Sequence, residues 1–144
     1  MIQNSEVVKK ILKTLMEVSK RKTDEGHAVS VMDSLLRKLG DKYNFLKYIE
    51  IKDSRFFEDV DSISVMSDVN SVPSLELGKA IHEIITTMNR SLGEDAGHFF
   101  IKEVSKGIGD EYYSSIKDMG LDLSLLQLEH EVDEMGKRFT TTRK

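Results

Sequence analysis

The chain contains no cysteine in its 144 residues. That absence removes disulfides, thiolate metal sites, iron–sulfur clusters and cysteine nucleophiles together. It also suits a reducing compartment, so a cytoplasmic location is expected. Nowhere does the sequence hold the run of about 18 apolar residues that a spanning helix needs, and no membrane association is expected. Near the N-terminus, Lys9, Lys10 and Lys13 interrupt the apolar residues, unlike the continuous apolar region of a secretory signal. Internal repeats, low-complexity runs and Pro/Gly/Ser linkers are all missing, and the one proline is Pro73.

Recognisable catalytic punctuation is absent too. There is no G-x-x-x-x-G-K-S/T loop, no G-x-G-x-x-G after a strand, no G-x-S-x-G elbow and no H-E-x-x-H zinc motif. Gly107-Ile108-Gly109 follows a helical pattern and precedes Asp110 and Glu111, whose charges oppose a phosphate. It reads as a helix-breaking turn. The chain is therefore read as non-enzymatic, and no cofactor is expected.

What is present is a composition of 39% hydrophobic and 32% charged residues, which fits a folded domain rather than a disordered or membrane chain. A domain of this length buries about 68–70% of its unfolded surface and needs no staples. The net charge of −4 hides a segregation. Residues 1–60 hold 12 basic against 10 acidic residues, residues 61–136 hold 5 against 15, and residues 137–144 hold 4 against none. An acidic centre repels polyanions, so nucleic acid is an unfavoured partner, with phosphate contacts conceivable only on the first helix and the tail.

Hydrophobic spacing predicts a helix over 5–22, capped by Ser5, with Val8, Ile11, Leu12, Leu15 and Met16 inward. A second helix over 25–39, capped by Thr23 or Asp24 and closed by a left-handed Gly40, completes a hairpin spanning 1–40. Residues 45–69 change period. Phe45–Ile51 and Asp61–Val69 read as two antiparallel strands, with Phe56–Phe57 anchoring the loop between them. A third helix over 41–48, capped by Asp41, is the competing reading.

Residues 73–136 read as helical throughout. Pro73 opens a helix with Leu77, Ile81, Ile84, Ile85, Met88 and Leu92 inward, around which the remainder is expected to pack. Further helices are expected over 94–106 and 110–119. The last helix is expected to start at a capping box of Ser124 and Gln127, with Leu123 stapled on Leu128 and an end at Gly136. A flexible basic tail over 137–144 should follow. The expected fold is thus a single domain over 1–136, mainly α, a single-layered helical assembly with a two-stranded antiparallel hairpin after the first two helices.

Two clusters invite a function. Glu94, Asp95 and His98 share one helical face and could converge on a cation, although acidic residues at a helix start are ordinary. His82 borders the apolar stripe, and His130 stands four residues before Glu134; neither forms a dyad by itself. In the last helix Leu121, Leu125, Leu128, Val132 and Met135 form a stripe at spacings of 4, 3, 4 and 3 opposite acidic residues. Such a stripe packs either on the domain's own core or on a partner, here a protein and most simply a second copy. The expected function is a regulatory or interaction module that self-associates. The competing expectations are a small-ligand or metal sensor at Glu94–His98, and a nucleic-acid binder using the basic first helix and tail.

Overall fold

The computed structural model describes residues 2–52, 63–93 and 99–142. In chain order the helices are α1 (Asn4–Lys22), α2 (Glu25–Leu39), α3 (Ser74–Ser91), α4 (Phe100–Ile108), α5 (Tyr113–Asp118) and α6 (Leu123–Thr142). Strands β1 (Ile49–Ile51) and β2 (Ile63–Val65) pair antiparallel between α2 and α3, with Ile49 opposite Val65 and Ile51 opposite Ile63. The fold is mainly α with one small hairpin, as the change of period from helical to alternating spacing predicted.

The hub is α1 rather than α3. Its buried residues run from Val7 and Val8 through Ile11, Leu12, Thr14, Leu15 and Met16 to Val18 and Ser19. At about 100° per residue they cover an arc of roughly 200°, twice the stripe of an ordinary surface helix. Helix α1 contacts α2, strand β2, α3 and α4. The helical hairpin and the later helices therefore share one continuous apolar core. The residues that widen the arc beyond the expected stripe are Val7, Val18 and the polar Thr14, all on one flank. Thr14 hides its hydroxyl by donating to the Lys10 carbonyl at 2.7 Å.

Several helix ends differ from their sequence reading. Ser5 lies inside the first turn of α1, and its N–H donates to Asn70 Oδ1 at 2.8 Å, so the cap comes from a 3₁₀ turn (Ser67–Ser71) packed on α1. Asp24 caps α2 as expected, accepting from His27 N at 2.8 Å. Gly40 stays right-handed at φ −60°. The competing third helix is half right: Asn44–Tyr48 forms a 3₁₀ turn leading into β1. Val69, expected in a strand, is fully buried from the turn after β2. Phe56–Phe57 lie outside the described residues.

Helix α3 approaches its neighbours closely at Gly78, where a Cβ would overlap the Met119 carbonyl in the turn after α5. That turn is completed by Gly120 at φ +78°, a conformation that favours glycine. It delivers Leu121 and Leu123, both buried, to the start of α6.

Candidate interaction surface

Helix α6 starts at Leu123, one residue before its predicted cap Ser124, and the cap itself lies two residues before Ser124, at Asp122. Asp122 Oδ1 accepts from Leu125 N at 3.0 Å, satisfying one of the helix's unpaired first-turn donors. Ser124 is exposed. Gln127 has other work: its Oε1 accepts from Lys102 N at 3.2 Å, in the first turn of α4, and its Nε2 donates to Glu131 at 3.1 Å. The capping-box residues are therefore not paired with each other, because a free donor on a neighbouring helix takes the glutamine. The helix also runs past Gly136 to Thr142, so its backbone includes most of the segment expected to be a flexible tail.

The docked face of α6 presents Leu123, Leu126 and Gln127, all buried, with His130 and Glu131 half-buried. The opposite face holds Leu125, Leu128, Val132 and Met135, exposed to 50%, 55%, 58% and 56%. At 100° per residue these four centre roughly 160° from Leu123. Of the five stripe residues, Leu121 alone is buried, and it precedes the helix. The expected staple of Leu128 on Leu123 is not formed, since Leu123 turns to the core while Leu128 faces solvent. Single exposed apolar residues are unremarkable on a protein surface, but four at 3-4-3 spacing on one helix form a seam.

A polar contact that the apolar pattern concealed also anchors α6. Asn89 is 3% exposed within the inner face of α3, and its Nδ2 lies 2.9 Å from His130 Nδ1. Its Oδ1 has no hydrogen-bond partner among the described residues. The signal was there to find: Asn89 stands four residues after Ile85, inside the apolar stripe. Beside this contact a cleft of about 480 Å³ opens between α3 and α6, lined by His82, Arg90, Glu129 and Asp133 among others. Its size is within the range of small-molecule sites.

Elsewhere the charges serve as ties. Lys22 Nζ reaches Glu103 Oε1 at 3.1 Å, joining the end of α1 to α4. Lys42 Nζ reaches Glu83 Oε1 at 3.1 Å, joining the loop after α2 to α3. The Tyr43 hydroxyl, then Lys42, hold the Glu83 carboxyl below the usual carboxylate range, while Glu83 raises both Lys42 and Tyr43. The candidate cation ligands Glu94, Asp95 and His98 lie outside the described residues. Among the described residues no group of three or more His, Asp or Glu gathers to hold a metal. No described helix is long and apolar enough to cross a membrane. The chain matches no family model, no curated protein and no solved structure.

Proposed function

We propose that this chain is a non-enzymatic interaction module, regulatory in character and cytoplasmic in setting, that self-associates through the outward face of α6. The observation that carries the reading is the seam of four half-exposed apolar side chains on the side of α6 turned away from the core. A helix with one apolar face docked and a second left in water resembles half of a helix–helix interface.

The magnitude sets the affinity to look for. Fully burying a large aliphatic side chain is worth about 1.5–3 kcal/mol, so covering four half-exposed ones yields about 3–6 kcal/mol per copy. Two copies gain about 6–12 kcal/mol against an association cost of about 4–15 kcal/mol. The pair is then micromolar or weaker, given that about 8 kcal/mol corresponds to 1 µM. Light scattering at about 200 µM compares the wild type with Leu128→Asp. The variant should keep the wild-type circular dichroism and lose any excess mass, because Leu128 faces solvent in the single copy. Equal masses above monomer for both proteins would remove α6 from the interface.

A second reading, a small-ligand sensor, is favoured by the cleft between α3 and α6 and by the buried Asn89 oxygen at its side. Ligand bound only to the folded state raises the melting temperature in proportion to RT ln(1 + [L]/Kd). A screen of small polar metabolites that produces no upward shift counts against it.

A further inference from the structure

We infer that the cleft between α3 and α6 takes a zwitterion, an α-amino acid with an apolar side chain. This rests on the small-ligand reading given above and names its ligand class. Charge, an open acceptor and an apolar floor point the same way.

The charges stand on opposite walls. Helix α3 brings Arg90 to the cleft, and α6 brings Glu129 and Asp133, one helical turn apart. Among the described residues no ion pair engages any of the three, although they line one cavity. A polyanion entering here meets two carboxylates, and a polyamine meets a guanidinium. A molecule with one charge of each sign meets neither conflict. Its carboxylate suits the forked guanidinium, which binds carboxylates through two parallel N–H bonds. Its ammonium suits Glu129 and Asp133.

The open acceptor is on Asn89, which stands in the wall of the cleft and is 3% exposed. His130 Nδ1 takes its Nδ2 at 2.9 Å, while Oδ1 has no hydrogen-bond partner among the described residues. Buried acceptors are nearly always bonded, because a bare one forfeits its hydration with nothing in return. An ammonium carries three donors, enough for a carboxylate and for this oxygen together. An ionised carboxylate has no donor to give.

Ile101 and Leu126, both buried, supply the apolar part of the lining. Ligand sites of this kind join apolar surface to a few polar groups that fix orientation. Arg90, Glu129 and Asp133 are exposed, so water competes for each of them and binding should be weak, with a Kd of about 1 mM or above. On α6 the cleft residues centre roughly 130° from the outward seam, so such a ligand does not compete with a second copy.

The test is an NMR titration of isotope-labelled protein with three probes of one shape. At about pH 6.5 an α-amino group is protonated, so L-leucine is a zwitterion, L-leucinamide a cation without the carboxylate, and isocaproate an anion without the ammonium. Leucine should shift the amides of Asn89, Arg90 and Leu126 saturably, and each truncated probe should bind about tenfold more weakly, having lost a charge-assisted hydrogen bond. Arg90→Gln, at an exposed position, should keep the fold and reduce leucine to the level of leucinamide. Leucinamide or isocaproate binding as tightly as leucine overturns the zwitterion and leaves a small-ligand site standing, as does an Arg90→Gln protein that holds leucine at wild-type strength. No saturable shift from any probe at about 20 mM overturns the inference, and the metabolite screen then decides the sensor reading separately.

Discussion

Replacing Gly78 by alanine sets two physical effects of opposite sign against each other. Helix propensity favours the change: alanine in a helix interior gains about 1 kcal/mol over glycine. Geometry opposes it. A Cβ at position 78 would overlap the Met119 carbonyl oxygen and stand 2.8 Å from its carbon, and the obstacle is backbone rather than the end of a flexible side chain. Overpacking of a well-filled core costs about 1–3 kcal/mol, and a clash that must displace a turn belongs at or above the top of that range. The net effect should be destabilising by about 2 kcal/mol, since the propensity gain offsets only part of the strain. For a domain of this size that lowers Tm by about 4–8 °C. Thermal melts followed by circular dichroism measure it. Gly136→Ala is the internal comparison, because nothing lies within 4 Å of its added Cβ, and the propensity gain there should appear unopposed. A Gly78→Ala protein that melts at or above the wild-type temperature refutes the close approach of α3 to the turn that delivers α6.

Other perturbations test how α6 and α3 are held. Asp122→Ala should cost about 1 kcal/mol by urea unfolding, while Ser124→Ala should be nearly silent, because only Asp122 caps the helix; the reverse order would restore the capping box. Asn89→Ala removes a buried side chain bonded to His130 and should cost about 1–3 kcal/mol, with the loss concentrated in amide protection of α6. For Glu83 the folded carboxyl titrates below its unfolded value, so its contribution is present above the ordinary carboxylate pKa and is lost as pH falls through the depressed folded value. Glu83→Gln should accordingly lower stability near neutral pH and flatten the acid limb of the stability profile. A variant with an unchanged acid limb would detach Glu83 from its two partners.

How far the sequence could be read depended on whether a contact was periodic or singular. Ile81, Ile84, Met88 and Phe100 repeat at helical spacing and are all buried where that spacing puts them. The hairpin was legible from Ile49, Ile51, Ile63 and Val65, whose alternation contrasts with the helices on either side. What escaped was contact between distant positions. Asn70 capping α1, Gln127 taken by Lys102 N, and Asn89 meeting His130 each join residues that local pattern cannot pair. The central place of α1 escaped for a related reason, since the buried flank of Val7, Thr14 and Val18 lies outside the stripe that spacing picks out. The last helix shows both limits. Its spacing marked an apolar seam, but Leu123 and Leu126 face the core while Leu125 and Leu128 face outward, and spacing alone does not say which side docks. The candidate metal cluster at Glu94, Asp95 and His98 stays a sequence expectation.

Sedimentation equilibrium of the wild-type chain over about 10–500 µM tests the outward seam most directly. Mass should rise with concentration from 16.4 kDa toward twice that value, with a micromolar or weaker dissociation constant. A mass that stays at 16.4 kDa across the whole series contradicts self-association through α6.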